Sequence, residues 1–158
     1  MAKSVTRVRE AAATAGVAIT VLTMPVSTRT AAEAAAACGC AEAAIIKSLI
    51  FAAGEDLVLL LVPGDRQVDP ALGASAVGAP LTRADPKRVR AVTGFAIGGV
   101  SPIGHLTPVA TFLDTAVGDG PLFAAAGAPN SVFETTRGDL LALGHFAPHT
   151  AREKCPIL

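Results

Sequence analysis

Two neighbouring apolar segments constrain the fold of this chain more than any other feature. Residues 43–53 read AAIIKSLIFAA, residues 57–64 read LVLLLVPG, and the short turn GED at 54–56 separates them. Both segments are apolar on both of their alternating faces, which is typical of strands that are covered on the two sides of a sheet. The pair therefore predicts a buried β-hairpin inside the fold.

Helices and strands flank this hairpin without strict alternation. Thr30 and Glu33 form a capping-box pattern before an alanine-rich helix, and the pairs Asp69-Pro70 and Asp85-Pro86 each predict a helix start. Further helices are expected at 4–15 and 135–145, and strands at 17–23, 78–83, 108–114, 120–127 and 131–137.

This mixture predicts an α+β fold rather than a doubly wound one. With 158 residues, 51% of them hydrophobic and 16% charged, the chain has the size and composition of one compact domain, expected over residues 1–158. The longest apolar run is far shorter than the roughly 20 residues of a membrane helix, and no export signal is visible at the N-terminus. We therefore expect a cytoplasmic protein without a membrane partner.

The charge balance argues against a nucleic-acid footprint of the DNA-wrapping kind. The 13 basic and 13 acidic residues cancel, and the absence of Trp and Tyr disfavours an aromatic platform for stacking bases. The odd set Cys38, Cys40 and Cys155 suits a reducing compartment and lacks the second half of a metal site. We expect neither DNA binding nor a metal or other cofactor.

Lys47 is the most informative charge in the chain. It shares a strand face with Ile45 and Leu49, where the pattern favours an apolar side chain. The ammonium group either extends along the sheet into solvent or lines a pocket, where it can anchor a phosphate or carboxylate.

The segment GFAIGGVSPIGH at 94–105 is the second signal. Its glycines permit positive φ angles and a close approach of a ligand to backbone N–H groups. The segment is neither a Walker loop nor a dinucleotide-binding fingerprint. It is therefore either an irregular turn or a binding loop.

The two signals together resemble a known family. IIKSLIF on one strand, followed about fifty residues later by TGFAIGGVSPIG, is similar to the YbaK/EbsC aminoacyl-tRNA deacylases and to the editing domain of bacterial prolyl-tRNA synthetase. The resemblance extends over about residues 15–145. It implies a mixed, partly closed β-barrel-like sheet flanked by helices, and an enzyme that acts in trans to hydrolyse the ester between a wrong amino acid and the terminal adenosine of a tRNA.

The resemblance also implies roles for particular residues. Lys47 would hold the acceptor end, and the loop of Gly98, Gly99, Val100 and Ser101 would position the aminoacyl carbonyl through its backbone amides. Further substrate contacts are expected at Thr28, Pro102, His105, Gly127 and Asn130.

Hydrolysis needs few catalytic groups, because an aminoacyl ester is already activated. A water or the neighbouring ribose hydroxyl, oriented beside a polarised carbonyl, could suffice. Ser101 as a nucleophile is the alternative, but no G-x-S-x-G elbow surrounds it. His105 is a candidate for acid–base catalysis, whereas His145 and His149 are expected at the surface.

The amino acid that is removed stays open. Ala128 stands where some members of the resembled family carry the histidine of a Gly-His-Pro motif, and a basic segment expected of cysteinyl-tRNA deacylases is missing. A small residue such as Ala, Ser, Thr or Cys is favoured because sterics reject a larger cognate.

Two other functions remain open at this point. One is a non-catalytic module that binds tRNA or a synthetase, and the other is a hydrolase of free esters. The expected partners are the acceptor end of an aminoacyl-tRNA and an aminoacyl-tRNA synthetase. RADPKRVR at 83–90 is either a solvated helix face or, through its cations, an RNA contact. Those cations are Arg83, Lys87, Arg88 and Arg90.

Overall fold

The computed structural model describes residues 3–144 and 146–153. The helices in this part of the chain are α1 (Lys3–Thr14), α2 (Ala31–Cys38), α3 (Pro70–Val77), α4 (Pro86–Thr93) and α5 (Arg137–Leu143), and a 3-10 turn at Glu42–Ala44 precedes the central hairpin. The strands are β1 (Val21–Thr23), β2 (Ile45–Ala53), β3 (Asp56–Pro63), β4 (Arg66–Gln67), β5 (Leu81–Arg83), β6 (Ala110–Asp114), β7 (Leu122–Ala125), β8 (Ser131–Thr135), β9 (Ala147–His149) and β10 (Arg152–Glu153).

The sheet is mixed, and the predicted hairpin lies at its centre. Its strands follow the order β1-β8-β7-β2-β3-β6-β9, and β5 pairs with β2 beside this path. β2 is antiparallel to β3, while β2–β7, β3–β6 and β6–β9 are parallel pairs. The predicted α+β class is confirmed. The sheet is open, because its end strands β1 and β9 do not pair with each other in the described part of the chain.

Both faces of the hairpin are covered, as its apolar pattern predicts. Leu59 and Leu61 belong to the largest core cluster, which also contains Val8 of α1 and Phe95. Leu60 and Val62 point to the opposite face and pack in a second cluster. Residues Val58 to Val62 of β3 are at most 4% exposed, so this strand forms the buried centre of the molecule.

The helix starts follow their sequence signals. Thr30 and Glu33 form the complete capping box of α2, and the Asp69 carboxylate accepts hydrogen bonds from the N–H groups of Ala71 and Leu72. Asp85 precedes Pro86 as predicted, although its side chain makes no capping bond. These bonds satisfy N–H groups that have no partner within the helix.

The C-terminal part of the described chain differs from the prediction. β9 extends the large sheet at β6, and β10 forms a separate two-stranded sheet with β4, where no strand was expected. His149, predicted at the surface, is only 4% exposed, and its Nε2 lies 3.1 Å from the Leu61 carbonyl oxygen. The surface prediction for His149 is therefore wrong, because parallel pairing with β6 carries it into the core. The matching prediction for His145 lies outside the described residues.

One edge of β2 pairs with β3, and the opposite edge, called the second edge below, is paired only in part. This creates an opening in the sheet. β7 pairs only with Ile45 and Ile46, and β5 pairs only with residues 51–53. Residues 47–50 between them pair with β3 alone among the described strands. A cleft opens at this interruption.

Candidate functional site

The cleft at the interruption of β2 has a volume of about 650 Å³. It lies between α2, the loop after α4 and strand β7. The lining residues come from the start of α2, the 3-10 turn, β2, the end of β5, the glycine-rich loop, β7 and β8. They are residues 28–32, 34, 42, 45–51, 83–84, 97, 98, 100, 123–125 and 132.

Apolar side chains form the two walls of the cleft. Ala34 and Ile45 belong to a cluster on one face of the sheet. Val100 and Ile46 belong to the main core on the other face. The opening is therefore a slot that lies roughly in the plane of the sheet, with apolar groups above and below it.

Positive charge surrounds this slot. Arg29, Lys47 and Arg83 all line the cleft, and the lining also includes Glu42. Arg29 and Arg83 are exposed at the mouth, whereas Lys47 is half-buried on the strand itself. Such an arrangement suits a ligand with an apolar or flat part that enters the slot and a phosphate that stays outside.

Lys47 lines the cleft rather than extending away along the sheet. Its ammonium group donates a hydrogen bond to the main-chain carbonyl of Arg66. An ammonium has three N–H donors, so a group anchored in this way can still contact a ligand. The carbonyl fixes the direction of a long side chain that would otherwise be mobile.

The glycine-rich loop contacts the cleft through Gly98 and Val100. Gly98 has φ +91°, and a Cβ atom placed there would lie 3.6 Å from Cγ of Arg29. The N–H of Gly99 donates to the carbonyl of Ala96 at 2.9 Å and closes a turn. No hydrogen bond from the N–H of Gly98 or Val100 occurs within the described part of the chain, so neither N–H group has a protein acceptor there.

The glycine-rich loop is supported by residues that do not line the cleft, namely Ser101, Pro102 and His105. Ser101 is fully buried and Pro102 is buried as well, and neither lines the cleft. The Ser101 hydroxyl accepts a bond from the N–H of Ile103 at 3.3 Å. His105 Nε2 lies 2.6 Å from the Ser101 carbonyl oxygen and must donate to it, because a carbonyl only accepts.

The surroundings of His105 favour its neutral form. Its Nδ1 is buried without a hydrogen-bond partner among the described residues, and its ring packs edge-on against Phe95 at 5.4 Å. Burial lowers the pKa of His105, the nearby cation of Arg7 acts in the same direction, and the bond to Ser101 opposes both. The structure therefore places His105 as a support of the loop.

Arg7 of α1 also fastens this loop, a link that the sequence pattern did not reveal. Its guanidinium donates to the carbonyls of Gly94 and Gly104 at 2.8 and 3.2 Å, and it stacks 5.0 Å from the centre of the Phe95 ring. A contact between residues almost a hundred positions apart leaves no local signal in the sequence.

Thr28, Gly127 and Asn130 come together beside the cleft, where two loops are bonded to each other. The N–H of Thr28 donates to the Pro129 carbonyl at 2.8 Å, and the Asn130 amide donates to the Met24 carbonyl at 3.1 Å. Thr28 lines the cleft, whereas Gly127 and Asn130 do not. Gly127 packs against α1, since its carbonyl accepts from the Ser4 hydroxyl at 2.6 Å.

Ser48 is a cleft residue that sequence reasoning missed. Its hydroxyl oxygen is buried and has no hydrogen-bond partner among the described groups, although the residue lines the cleft. The available signal is a serine inside an otherwise apolar strand, next to the charged Lys47.

The remaining candidate features lie apart from the cleft. Burial raises the pKa of the thiols of Cys38 and Cys40, and Cys40 adds to the rise at Cys38. Among residues 3–144 and 146–153, no three His, Cys, Asp or Glu side chains are grouped so that they could hold a metal ion. In the same residues, no helix has the length and apolar character needed to cross a membrane.

Comparison with known proteins identifies the family of this chain. The sequence profile of the aminoacyl-tRNA editing domain matches residues 26–143. The chain therefore belongs to the aminoacyl-tRNA editing domain family, and the predicted resemblance is confirmed.

Individual proteins are similar to this chain as well. A crystal structure of a candidate trans-editing enzyme for prolyl-tRNA synthetase is 40% identical, with a TM-score of 0.89 over 98% of this chain and 99% of its own. A scaffold protein used for computational epitope grafting is 38% identical, with a TM-score of 0.90 over 98% and 100% of the two chains. The uncharacterized protein YwhH of Bacillus subtilis (strain 168) is 31% identical over 104 residues, which span 65% of this chain and 66% of YwhH.

Proposed function

We propose that this protein is a trans-editing deacylase, which hydrolyses the ester of a tRNA charged with a wrong, small amino acid. One observation carries the proposal: the slot in the sheet is bordered both by cations and by the unbonded amides of Gly98 and Val100. A charged nucleotide end and an ester carbonyl need these two kinds of group side by side. The 40% identical structure of a candidate trans-editing enzyme supports the same function.

The proposed chemistry relies on orientation and electrostatics. The amides of Gly98 and Val100 would donate to the ester carbonyl oxygen, whose negative charge grows as the tetrahedral intermediate forms. A water molecule, oriented by the adjacent ribose hydroxyl, adds to the carbonyl carbon and releases a proton. The bond to the ribose oxygen then breaks, that oxygen takes up a proton, and the free amino acid and the uncharged tRNA are the products. Removing one such donor typically costs a factor of about 10² to 10³ in rate.

Lys47 would hold the acceptor end through its charge. Its main-chain anchor at Arg66 keeps the ammonium at the cleft, and Arg29 and Arg83 add charge at the mouth. The terminal phosphate is the group that these cations fit best. A protein that edits charged tRNA would act in the cytoplasm, together with the synthetase that makes the error.

A slot that also receives the terminal nucleoside favours a small amino acid. Apolar side chains close both of its walls, and a larger side chain would have to displace them. The panel of candidate amino acids therefore consists of Ala, Ser, Thr and Cys.

A non-catalytic tRNA-binding module is the second candidate, and one observation favours it. Ser101 is buried and His105 supports the loop, so neither side chain faces the cleft. No histidine or cysteine side chain lines the cleft in the described part of the chain. A module of this kind would bind the acceptor end without turnover.

The deciding experiment measures deacylation of tRNAs that are charged with Ala, Ser, Thr or Cys. We expect rapid loss of one ester, and a rate that falls about 10- to 100-fold in Lys47→Ala, which is the scale of a lost charge-assisted hydrogen bond. Lys87→Ala is the matched control, since Lys87 is exposed and lies outside the cleft.

Each other outcome has a definite meaning. Binding of tRNA without turnover across the panel would establish the non-catalytic module. Equal turnover of a free amino-acid ester would show that the tRNA body is not recognised. An unchanged rate in Lys47→Ala would remove Lys47 from the site.

A further inference from the structure

The middle of β2 presents main-chain groups to the cleft, and their direction follows from the pairing. The carbonyl of Ile45 accepts from the N–H of Gly64 at 2.7 Å, so the main-chain groups of Ile45 point towards β3. In a strand, the N–H and C=O of one residue point to one edge, and the next residue points to the other. Ser48 and Ile50 therefore direct their main-chain groups to the second edge.

The other end of β2 agrees with this alternation. The carbonyl of Ala52 accepts from the hydroxyl of Thr82 in β5 at 3.5 Å, so Ala52 points to the second edge as well. Between Ile46, which β7 pairs, and Phe51, which β5 pairs, no described strand covers that edge. The carbonyl of Ser48 and the N–H of Ile50 are successive groups there, one acceptor beside one donor.

The surroundings of this edge suit a flat ring. Ala34 lies on one side of the plane of the sheet and Val100 on the other, and both line the cleft. A planar group that continues the plane of the sheet would touch apolar atoms on its two faces and main-chain atoms at its rim. The volume of about 650 Å³ leaves room for a nucleoside.

We propose that the edge of β2 binds the terminal adenine of the tRNA, with its 6-amino group donating to the Ser48 carbonyl and the Ile50 N–H donating to ring nitrogen N1. This inference rests on the proposed function, because the adenine belongs to the acceptor end. It identifies the residues that read the base, Ser48 and Ile50, through their main-chain groups.

The order of donor and acceptor makes this contact selective. Adenine carries an amino donor next to a ring-nitrogen acceptor, which complements the acceptor of Ser48 and the donor of Ile50. Hypoxanthine and guanine carry a carbonyl oxygen next to a ring N–H, so both contacts would be repulsive. Main-chain groups supply this selectivity, so side-chain substitutions at Ser48 and Ile50 leave the hydrogen-bonding groups in place.

The test is a titration of the ¹⁵N-labelled protein with adenosine 5′-monophosphate, followed by the amide resonances. We expect the Ile50 amide proton to move downfield on binding, as a newly hydrogen-bonded proton does. The Leu49 amide is the internal control, since Leu49 points to β3 and pairs with Leu60 there.

Modified nucleotides separate this contact from general stacking. The 1-deaza analogue lacks the N1 acceptor and should bind about tenfold more weakly, because the Ile50 N–H would be buried without a partner. The 7-deaza analogue keeps the amino group and N1, and it should bind like adenosine 5′-monophosphate. Inosine 5′-monophosphate should produce no shift of the Ile50 amide. Equal affinity of the 1-deaza and 7-deaza analogues would overturn the proposal.

The same modifications in a charged tRNA distinguish this inference from the proposed function. In a charged tRNA that the protein deacylates, a terminal 1-deazaadenosine should lower the deacylation rate about tenfold, and a terminal 7-deazaadenosine should not. If no charged tRNA is deacylated, the proposed function fails, while the nucleotide titration still decides whether β2 reads adenine.

Discussion

Ser48 and Ser101 are two buried serines whose hydroxyl groups differ in their hydrogen bonding. The Ser101 hydroxyl is buried and bonded to the N–H of Ile103, so it stabilises the glycine-rich loop. The Ser48 hydroxyl is buried without a partner among the described groups. A buried polar group without a partner carries a desolvation cost of about 1–3 kcal/mol.

Replacing these serines should therefore have opposite effects on stability. We expect Ser48→Ala to raise the free energy of unfolding by about 1 kcal/mol, since it removes an unsatisfied hydroxyl. Ser101→Ala should lower it by about 1–2 kcal/mol, since it removes a satisfied one. Urea denaturation of the two variants beside the parent protein measures both changes. A destabilised Ser48→Ala would show that the hydroxyl has a partner in solution.

His105 links the stability of the loop to pH. Its pKa in the folded protein is lowered by burial, so the unfolded chain binds a proton more readily than the folded one. The stabilisation is fully present above the ordinary histidine pKa of about 6.5 and is lost as the pH falls towards the folded pKa.

We expect the free energy of unfolding to fall between pH 7.5 and pH 5, in part because of His105. His105→Phe keeps a ring against Phe95 and removes the titration, so its stability should change less over the same range. Urea denaturation at several pH values compares the two proteins. Identical pH dependence in both would show that His105 is not kept neutral by its surroundings.

At the scale of single elements, the capping box of α2 connects stability with the site. Thr30 accepts from the N–H of Glu33 at 3.1 Å, the Glu33 carboxylate accepts from the N–H of Thr30 at 3.2 Å, and Thr30 lines the cleft. The sequence predicts this start because the signal is local, with both partners inside one helical turn.

Two substitutions at helix starts test whether the capping bond itself matters. Thr30→Ala should lower the free energy of unfolding by about 1 kcal/mol, the usual value for a lost N-cap. Asp85→Ala is the matched control, because Asp85 occupies an N-cap position without a side-chain capping bond, and it should have a clearly smaller effect. Thermal or urea denaturation measures both. Equal losses would mean that the effect of Thr30 comes from something other than its cap.

The elements that the sequence did not predict are those that depend on distant partners. β9 contains Pro148 and only three residues, so it carries no strand pattern of its own, and its pairing with β6 joins segments more than thirty residues apart. β1 is shorter than the predicted segment, since only Val21–Thr23 find partners in β8. Pairing, rather than local propensity, sets the ends of such strands.

The molecule as a whole has no net charge, and its cations are distributed unevenly. Arg83 lines the cleft, whereas Lys87 and Arg90 are exposed on α4 and lie outside it. Arg88 donates to the Glu55 carbonyl and lines a separate cavity. If RNA contacts are confined to the cleft, only a few phosphates are neutralised on binding.

The salt dependence of tRNA binding checks this distribution. We expect the logarithm of the association constant to fall with the logarithm of salt concentration with a slope of about −2 to −3, which corresponds to about three phosphate contacts. Arg83→Glu should reduce the magnitude of this slope by about one or more, and Lys87→Glu should leave it nearly unchanged. Filter binding at several salt concentrations gives the slopes. A comparable effect of Lys87→Glu would extend the contact surface onto α4.

The sequence alone determined the buried hairpin, the helix starts and the pair of signals at Lys47 and Gly98 that identifies the family. Each of these depends on residues that are neighbours in the chain, where periodicity, capping and glycine content act locally. Only the tertiary structure decided that His105 and Ser101 support the loop, that His149 is buried, and that residues 47–50 of β2 pair with β3 alone among the described strands. These features arise where distant segments meet, and hydrogen bonding across such distances leaves no periodic trace in the sequence.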